Sequence, residues 1–234
     1  METQMKFPGS LAVVTAPSSD LVSLTLAKSH LRVDITDDDT LISAYISAAS
    51  ELIGSYTGRS FATVTYDYFL DDFPRVEMFG RTVAPHTNVD LELPNSPVAS
   101  VTSIKYLDTA GAQVTLDPSL YQLDLASNPA RLRYVDGSVW PQWPQIYGTP
   151  SAWPNTNDAS WPDYFANPWS PGLNSVAVRY VAGGAIPKVA QQAALLLIGD
   201  WYSNREADSP SFRTSQLPPP VASLLNTVKI RGFY

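Results

Sequence analysis

Several groups of residues in this chain have the types and spacing that chemistry requires. Asp37-Asp38-Asp39 is an acidic run of the kind that can hold a divalent cation. Asp71, Asp72 and Glu77 flank the end of an apolar segment, where paired carboxylates could work as acid and base. His30 and His86 are potential metal ligands. Five of the six tryptophans, Trp140, Trp143, Trp153, Trp161 and Trp169, fall within about thirty residues, and each has a proline neighbour.

Each group also has a plain structural reading. The acidic run lacks the alternate oxygen ligands and central glycine of a calcium loop. It precedes an apolar periodic segment, so capping and dipole neutralisation account for it, with Asp37 as the expected cap. Asp71 and Asp72 read as turn formers at a strand end. Glycoside hydrolysis would need two carboxylates facing each other across a cleft, and nothing in their spacing requires that. The two histidines belong to different elements, and zinc would need more ligands than they supply. Cysteine is absent, which removes disulfides, thiolate metal sites and cysteine nucleophiles. No G-x-S-x-G elbow occurs, and Gly183-Gly184 lacks the Lys and Ser/Thr of a phosphate loop. The expectation is a protein that is not an enzyme and holds no cofactor or metal.

The tryptophan-rich segment remains open between three readings. It is a loop pinned by its own buried rings, a protein-binding surface carried by Trp143, Trp153, Trp161 and Trp169, or a carbohydrate platform. The last would make the chain a β-rich carbohydrate-binding module, the alternative to any structural role. A second interaction candidate is the C-terminal tail, residues 228–234, where Lys229, Arg231, Phe233 and Tyr234 form a short basic-aromatic segment; its plain reading is a frayed terminus.

Composition narrows the partners. Only 16% of residues are charged, against roughly 25% for an ordinary soluble domain, which fits either subunit contacts that hide the remaining surface or a large β-rich domain with an uncharged surface. The net charge of −7 repels a duplex, and the basic residues are scattered. The opening METQMKFPGSL has no apolar stretch of signal-peptide length, and no run reaches the roughly 20 apolar residues of a membrane span. A protein made in the cytoplasm, with no membrane partner, is expected.

The elements that must position these residues follow from periodicity. Residues 1–22 read as irregular. Ser23 can cap a short helix over 24–31. Leu41, Ile42, Tyr45, Ile46, Ala49, Leu52, Ile53 and Tyr56 recur at helical spacing, with Gly58 as the stop. From 63–70 the period becomes two, and short strands are expected at 76–79, 91–93, 98–107, 112–116, 121–125, 131–135 and 174–181. Pro187 opens a helix over 188–205 whose centre, Ala193 to Ile198, is apolar all round. A short helix over 221–227 is the last element. The fold class is therefore α+β: a small helical bundle formed by N- and C-terminal helices with an inserted β-rich domain. The expected units are 1–60, 61–184 with its Trp/Pro loop at 140–171, 185–227, and the tail 228–234.

With these elements in place, the order of the motifs resembles that of phage head–tail connector (adaptor) proteins of the long-tailed-phage type with a β-rich insertion. The opening carries Ser23-Leu24, Ala27-Lys28-Ser29-His30-Leu31-Arg32-Val33-Asp34, Asp38-Asp39-x-Leu41-Ile42 and Tyr56-Thr57-Gly58-Arg59. The middle carries Pro97-Val98-x-Ser100-Val101-x-Ser103-Ile104-x-Tyr106-x-Asp108, Leu116-Asp117-Pro118-Ser119-x-Tyr121-Gln122-x-Asp124 and Pro129-Ala130-Arg131-Leu132. The end carries Val176-x-Val178-x-Tyr180-x-Ala182-Gly183, Ala193-x-Leu195-Leu196-Leu197 and Trp201-Tyr202-x-Asn204-Arg205-Glu206. The stretches 80–90 and 142–171 depart from the pattern by being expanded.

The resemblance implies a homo-oligomeric ring, a dodecamer, in the neck of a virion assembled in the host cytoplasm. It implies docking on the portal protein through the tail, and a face for a tail-proximal connector or terminator protein. DNA would pass through the ring without specific binding. The family brings no catalytic residues.

Overall fold

The computed structural model describes residues 9–74, 77–78, 81–82, 90–108, 111–135, 140–141, 173–204 and 217–230. Helices α1 (Leu24–Leu31) and α2 (Asp39–Thr57) precede most of the strands, and α3 (Lys188–Ser203) and α4 (Pro219–Asn226) follow them. Ser23 caps α1 as expected, its hydroxyl accepting from the Leu26 amide at 3.3 Å. Gly58 ends α2 at φ 66°, a conformation that costs glycine nothing.

The four helices share one apolar core. Ile42, Ile46, Ala49 and Ile53 of α2 meet Ala190, Ala193, Ala194, Leu197 and Ile198 of α3, with Val221 and Leu225 of α4 alongside. The three alanines are completely buried. Their small side chains let α3 approach its neighbours closely, which explains a helix apolar on every side in so small a bundle.

The acidic run does different work from the expected cap. Asp38 occupies the N-cap position of α2, but no side-chain cap bond forms there. Its carboxylate accepts instead from the Tyr202 hydroxyl on α3. Asp39 pairs with Lys28 of α1. The run thus clasps three helices together. Sequence-local reasoning favours the cap because it sees only neighbours within one turn.

The β-rich part is built on a five-stranded antiparallel sheet ordered β1-β2-β10-β6-β7. Its strands are β1 (Ser10–Thr15), β2 (Val64–Leu70), β6 (Val98–Leu107), β7 (Gln113–Thr115) and β10 (Val176–Ala182). Strand β10 lies at the centre and pairs with β2 and β6 along its length. A second antiparallel sheet, ordered β5-β9-β8, comprises β5 (Leu91–Leu93), β9 (Ala130–Tyr134) and β8 (Tyr121–Asp124). A single turn of 3₁₀ helix, Pro118–Leu120, leads from β7 into β8. Two short strands, β3 (Glu77–Met78) and β4 (Arg81–Thr82), pair as a ribbon where one strand over 76–79 was expected.

Alternation decides which faces are buried. Val64, Tyr66, Tyr68 and Leu70 of β2 point inward with Val176, Val178, Tyr180 and Ala182 of β10. They pack against Leu93, Ala130 and Leu132 of the smaller sheet. Tyr180 is wholly buried, and its hydroxyl donates to the Pro94 carbonyl at 2.8 Å. Burial pushes its phenol well above the usual tyrosine value. The phenol therefore stays a neutral donor at any ordinary pH.

Strand β1 corrects the irregular reading of residues 1–22. All six of its residues are exposed, so it shows no inward-outward alternation for the sequence to reveal.

The helical and β-rich parts meet at a joint of backbone bonds. The Ser60 amide donates to the Ser96 carbonyl, Ser18 to Thr63, and Gly183 to Pro97 at 2.8 Å. Gly183 sits at φ 114°, and a Cβ there would lie 2.0 Å from the Ala62 carbonyl oxygen. Both the dihedral and the space demand glycine. Gly111, at φ 77°, has only the dihedral requirement, since nothing lies within 4 Å. Gly183→Ala should therefore lower stability by at least about 2 kcal/mol, or roughly 4–8 °C in Tm for a chain this size, and Gly111→Ala by about 1 kcal/mol. Thermal unfolding followed by circular dichroism checks both. Equal small shifts would contradict the steric reading of the joint.

Candidate functional site

Residues 228–230 are strapped to the end of α2. Residues 227 and 228 turn back on the last carbonyls of α4. The Arg59 guanidinium donates to the Val228 carbonyl, and the Ile230 amide donates to the Thr57 carbonyl at 3.0 Å. Ile230 is buried. The Lys229 ammonium lies 4.4 Å from the centroid of the Tyr56 ring, a cation–π distance. The Tyr56 hydroxyl in turn donates to the Asn226 side chain at 3.0 Å. These contacts hold residues 228–230 against the end of α2. Of the four tail residues singled out in the sequence, Lys229 belongs to this strap. Arg231, Phe233 and Tyr234 lie outside the described residues.

The tryptophan-rich segment is anchored at both ends on one corner of the sheet. Trp140 is buried, stacked on Phe73 at 5.0 Å between centroids and 8° between planes, with Tyr134 tilted against it at 5.5 Å. At the other end the Asn174 amide donates to the Asp71 carboxylate at 2.8 Å. Asp72 accepts from the Phe73 amide at 2.8 Å. The two aspartates thus serve the corner as turn formers, and Glu77 sits in the β3–β4 ribbon. Trp143, Trp153, Trp161 and Trp169 lie outside the described residues, between two anchors that both meet the end of β2. Trp201, the remaining tryptophan, packs against Tyr45 at 6.0 Å.

These two places are well separated. Strand β2 begins at the joint and ends at the tryptophan corner. Its seven residues at about 3.3 Å each put roughly 20 Å between them.

The electrostatics of the strands are self-contained. Arg179 grips Asp67 with two bonds of 2.7 Å, and Arg133 grips Asp90 at 2.6 and 3.0 Å. Arg131 bonds Asp124 at 2.6 Å. The Arg179 hydrogen bond holds the Asp67 carboxyl below its ordinary value, and the Arg131 bond does the same for Asp124. Arginines engaged as forks on carboxylates are not free to grip phosphates. Among the described residues no three of His, Cys, Asp and Glu converge as a metal site. His30 ends α1 beside Gly199 of α3, and His86 lies outside the described residues. No helix of the described residues is long and apolar enough to cross a membrane.

The chain has structural likenesses over nearly its whole length. A chain of the neck of an empty GTA (gene transfer agent) particle, computed with C6 symmetry, is 19% identical with a TM-score of 0.63. A chain of the virion of the native GTA particle and one of the native neck computed with C12 symmetry are 19% identical, each with a TM-score of 0.60. Each comparison covers 96% of this chain and 97% of the other. No curated protein matches. The likeness shows a common fold, including the β-rich part inserted between the helices. Residues 22–104, from the residue before the cap of α1 to the middle of β6, match the family described as phage gp6-like head-tail connector protein. The resemblance read in the sequence is thus matched by the connector family over residues 22–104, and the fold of nearly the whole chain is similar to that of a neck chain of a phage-like particle.

Proposed function

We propose that this protein is a structural subunit of a head–tail connector ring in the neck of a virion or gene transfer agent particle, and that it catalyses no reaction. The observation that carries this reading is the connector-family match over residues 22–104. The neck chains that share the fold come from structures computed with C6 and C12 symmetry, which supports a ring and, in the second case, a dodecamer. The ring would assemble in the host cytoplasm and remain in the particle.

Its two ends would meet different partners. The tail, led out from the strap on α2, would dock on the portal protein through Arg231, Phe233 and Tyr234. The corner held by Trp140 and Asn174, about 20 Å away along β2, would present the tryptophan-rich segment to a tail-proximal connector or terminator protein. Nothing among the described residues favours the carbohydrate-binding alternative, since Trp140 is buried and Trp201 packs on Tyr45.

A conduit for DNA must let it slide. The net charge of −7 repels the duplex, and Arg131, Arg133 and Arg179 are occupied by carboxylates. In fluorescence anisotropy at physiological salt, a labelled duplex should show no saturable binding up to tens of micromolar protein, a range set against non-specific affinities of about 1–100 µM. Saturable binding that weakens steeply with salt would contradict the conduit reading.

Because Ile230 is buried, the informative truncation begins at Arg231. Removing 231–234 should leave Tm within about 2 °C of the intact protein, since the last few residues of a domain usually contribute little, and should abolish co-sedimentation with the portal protein of the same particle. Undiminished co-sedimentation would refute the assignment of the tail.

A further inference from the structure

The inner faces of both sheets run past their cover, at strands on opposite flanks of the β-rich part. On one flank is β1. Leu11 lies opposite Tyr68 and Val13 opposite Tyr66 in the antiparallel register. Directly opposed residues share a face, so Leu11 and Val13 belong to the side on which β2 is buried. Yet Val13 is 59% exposed, and Leu11 and Val14 are exposed as well. Among the described residues β1 pairs only with β2, which leaves its outer edge of backbone donors and acceptors open.

On the other flank is β8. Leu123 lies opposite Leu132, which is wholly buried, so it too is on the inner face. Leu123 is 41% exposed, with Leu120 and Leu125 exposed beside it. Strand β8 is the edge of its sheet and follows β7 by one turn of 3₁₀ helix. Strand β7 is the edge of the large sheet farthest from β1. Four strand spacings of about 4.8 Å put β1 roughly 20 Å from β7 across the large sheet.

An open apolar edge is a hazard that isolated proteins blunt with charge, proline or shortening. Strand β1 has none of these: Ser10-Leu11-Ala12-Val13-Val14-Thr15 contains no charged residue and no proline. Two unlike apolar patches on opposite flanks of one subunit are what a head-to-tail contact between identical copies requires, since each copy then offers one patch to each neighbour.

We propose that β1 of one protomer seats against the β7–β8 flank of the next, so that Leu11, Val13 and Val14 are covered by Leu120, Leu123 and Leu125 of a second copy of this chain. This interface deepens the ring reading above and rests on it. It also explains why the chain keeps a six-residue strand that adds nothing to its own core.

The natural absence of cysteine allows a direct test. The double variant V13C/L123C places one thiol on each flank, at positions exposed in the single chain. The variant and both single variants are assembled into particle necks and exposed to a mild oxidant. Non-reducing gels should then show a ladder of covalent oligomers for the double variant, and nothing beyond a dimer for either single variant. Necks that show rings by electron microscopy but yield no ladder would overturn the interface and leave the connector reading standing. A faster-migrating monomer, linked within one chain, would overturn it too. Absence of any ring from wild-type necks would overturn both. As an independent arm, Val13→Lys, on a strand that contributes no core residue, should keep the wild-type circular dichroism spectrum and lose at least tenfold in ring yield. Combining it with Leu123→Glu should recover most of that yield. Wild-type ring yield for the folded single variant would contradict the proposal.

Discussion

The fold depends on one constraint: the chain must leave the helical bundle, build two sheets, and return to the point it left. The joint enforces this. Residues 60–63 leave α2, residues 94–98 cross from one sheet to the other, and Gly183 re-enters toward α3. Main-chain bonds from Ser60 to Ser96 and from Gly183 to Pro97 tie these crossings together. The Ala62 carbonyl fills the space where any other side chain at residue 183 would begin. With the ends fixed there, β10 can lie between β2 and β6 and close the large sheet. The long-range strand pairs then place the remaining parts.

This arrangement separates the end of α2 from the aromatic corner at the far end of β2. The helical half is held by a compact apolar core, by the Lys28–Asp39 pair and by the Tyr202–Asp38 hydrogen bond. The C-terminal strap ends at the joint. At the far end of β2, Phe73, Tyr134 and Trp140 pack as an aromatic cluster. Three arginines on the strands, Arg131, Arg133 and Arg179, are paired with Asp124, Asp90 and Asp67.

Much of this was legible in the sequence, for physical reasons. Helices α1 and α2 announce themselves through Ser23, Gly58 and the helical spacing of Ile42, Ile46 and Ile53. The strands with one buried face show their alternation, and 91–93 and 98–107 are found where expected. Strand β1 hid because alternation reports a buried face and it has none, although Val13-Val14-Thr15 between Gly9 and Pro17 carries the β-branched signal. The Asp38 and Asp39 clasp hid because its partners lie on other helices. The strap on α2 hid because Ile230 looks like part of a terminus until Thr57 is seen beside it. The two apolar flanks could not be read from composition, since they exist only once register places Leu11 and Leu123 on inner faces that end too soon.

The central claim is that this chain is a structural part of the neck. Electron cryo-microscopy of the intact particle, at a resolution that traces the chain, tests it most directly. The account predicts a closed ring of identical copies around the DNA axis between head and tail, each with the five-stranded sheet and the four helices described here. A neck whose rings are fully traced without this chain would contradict it.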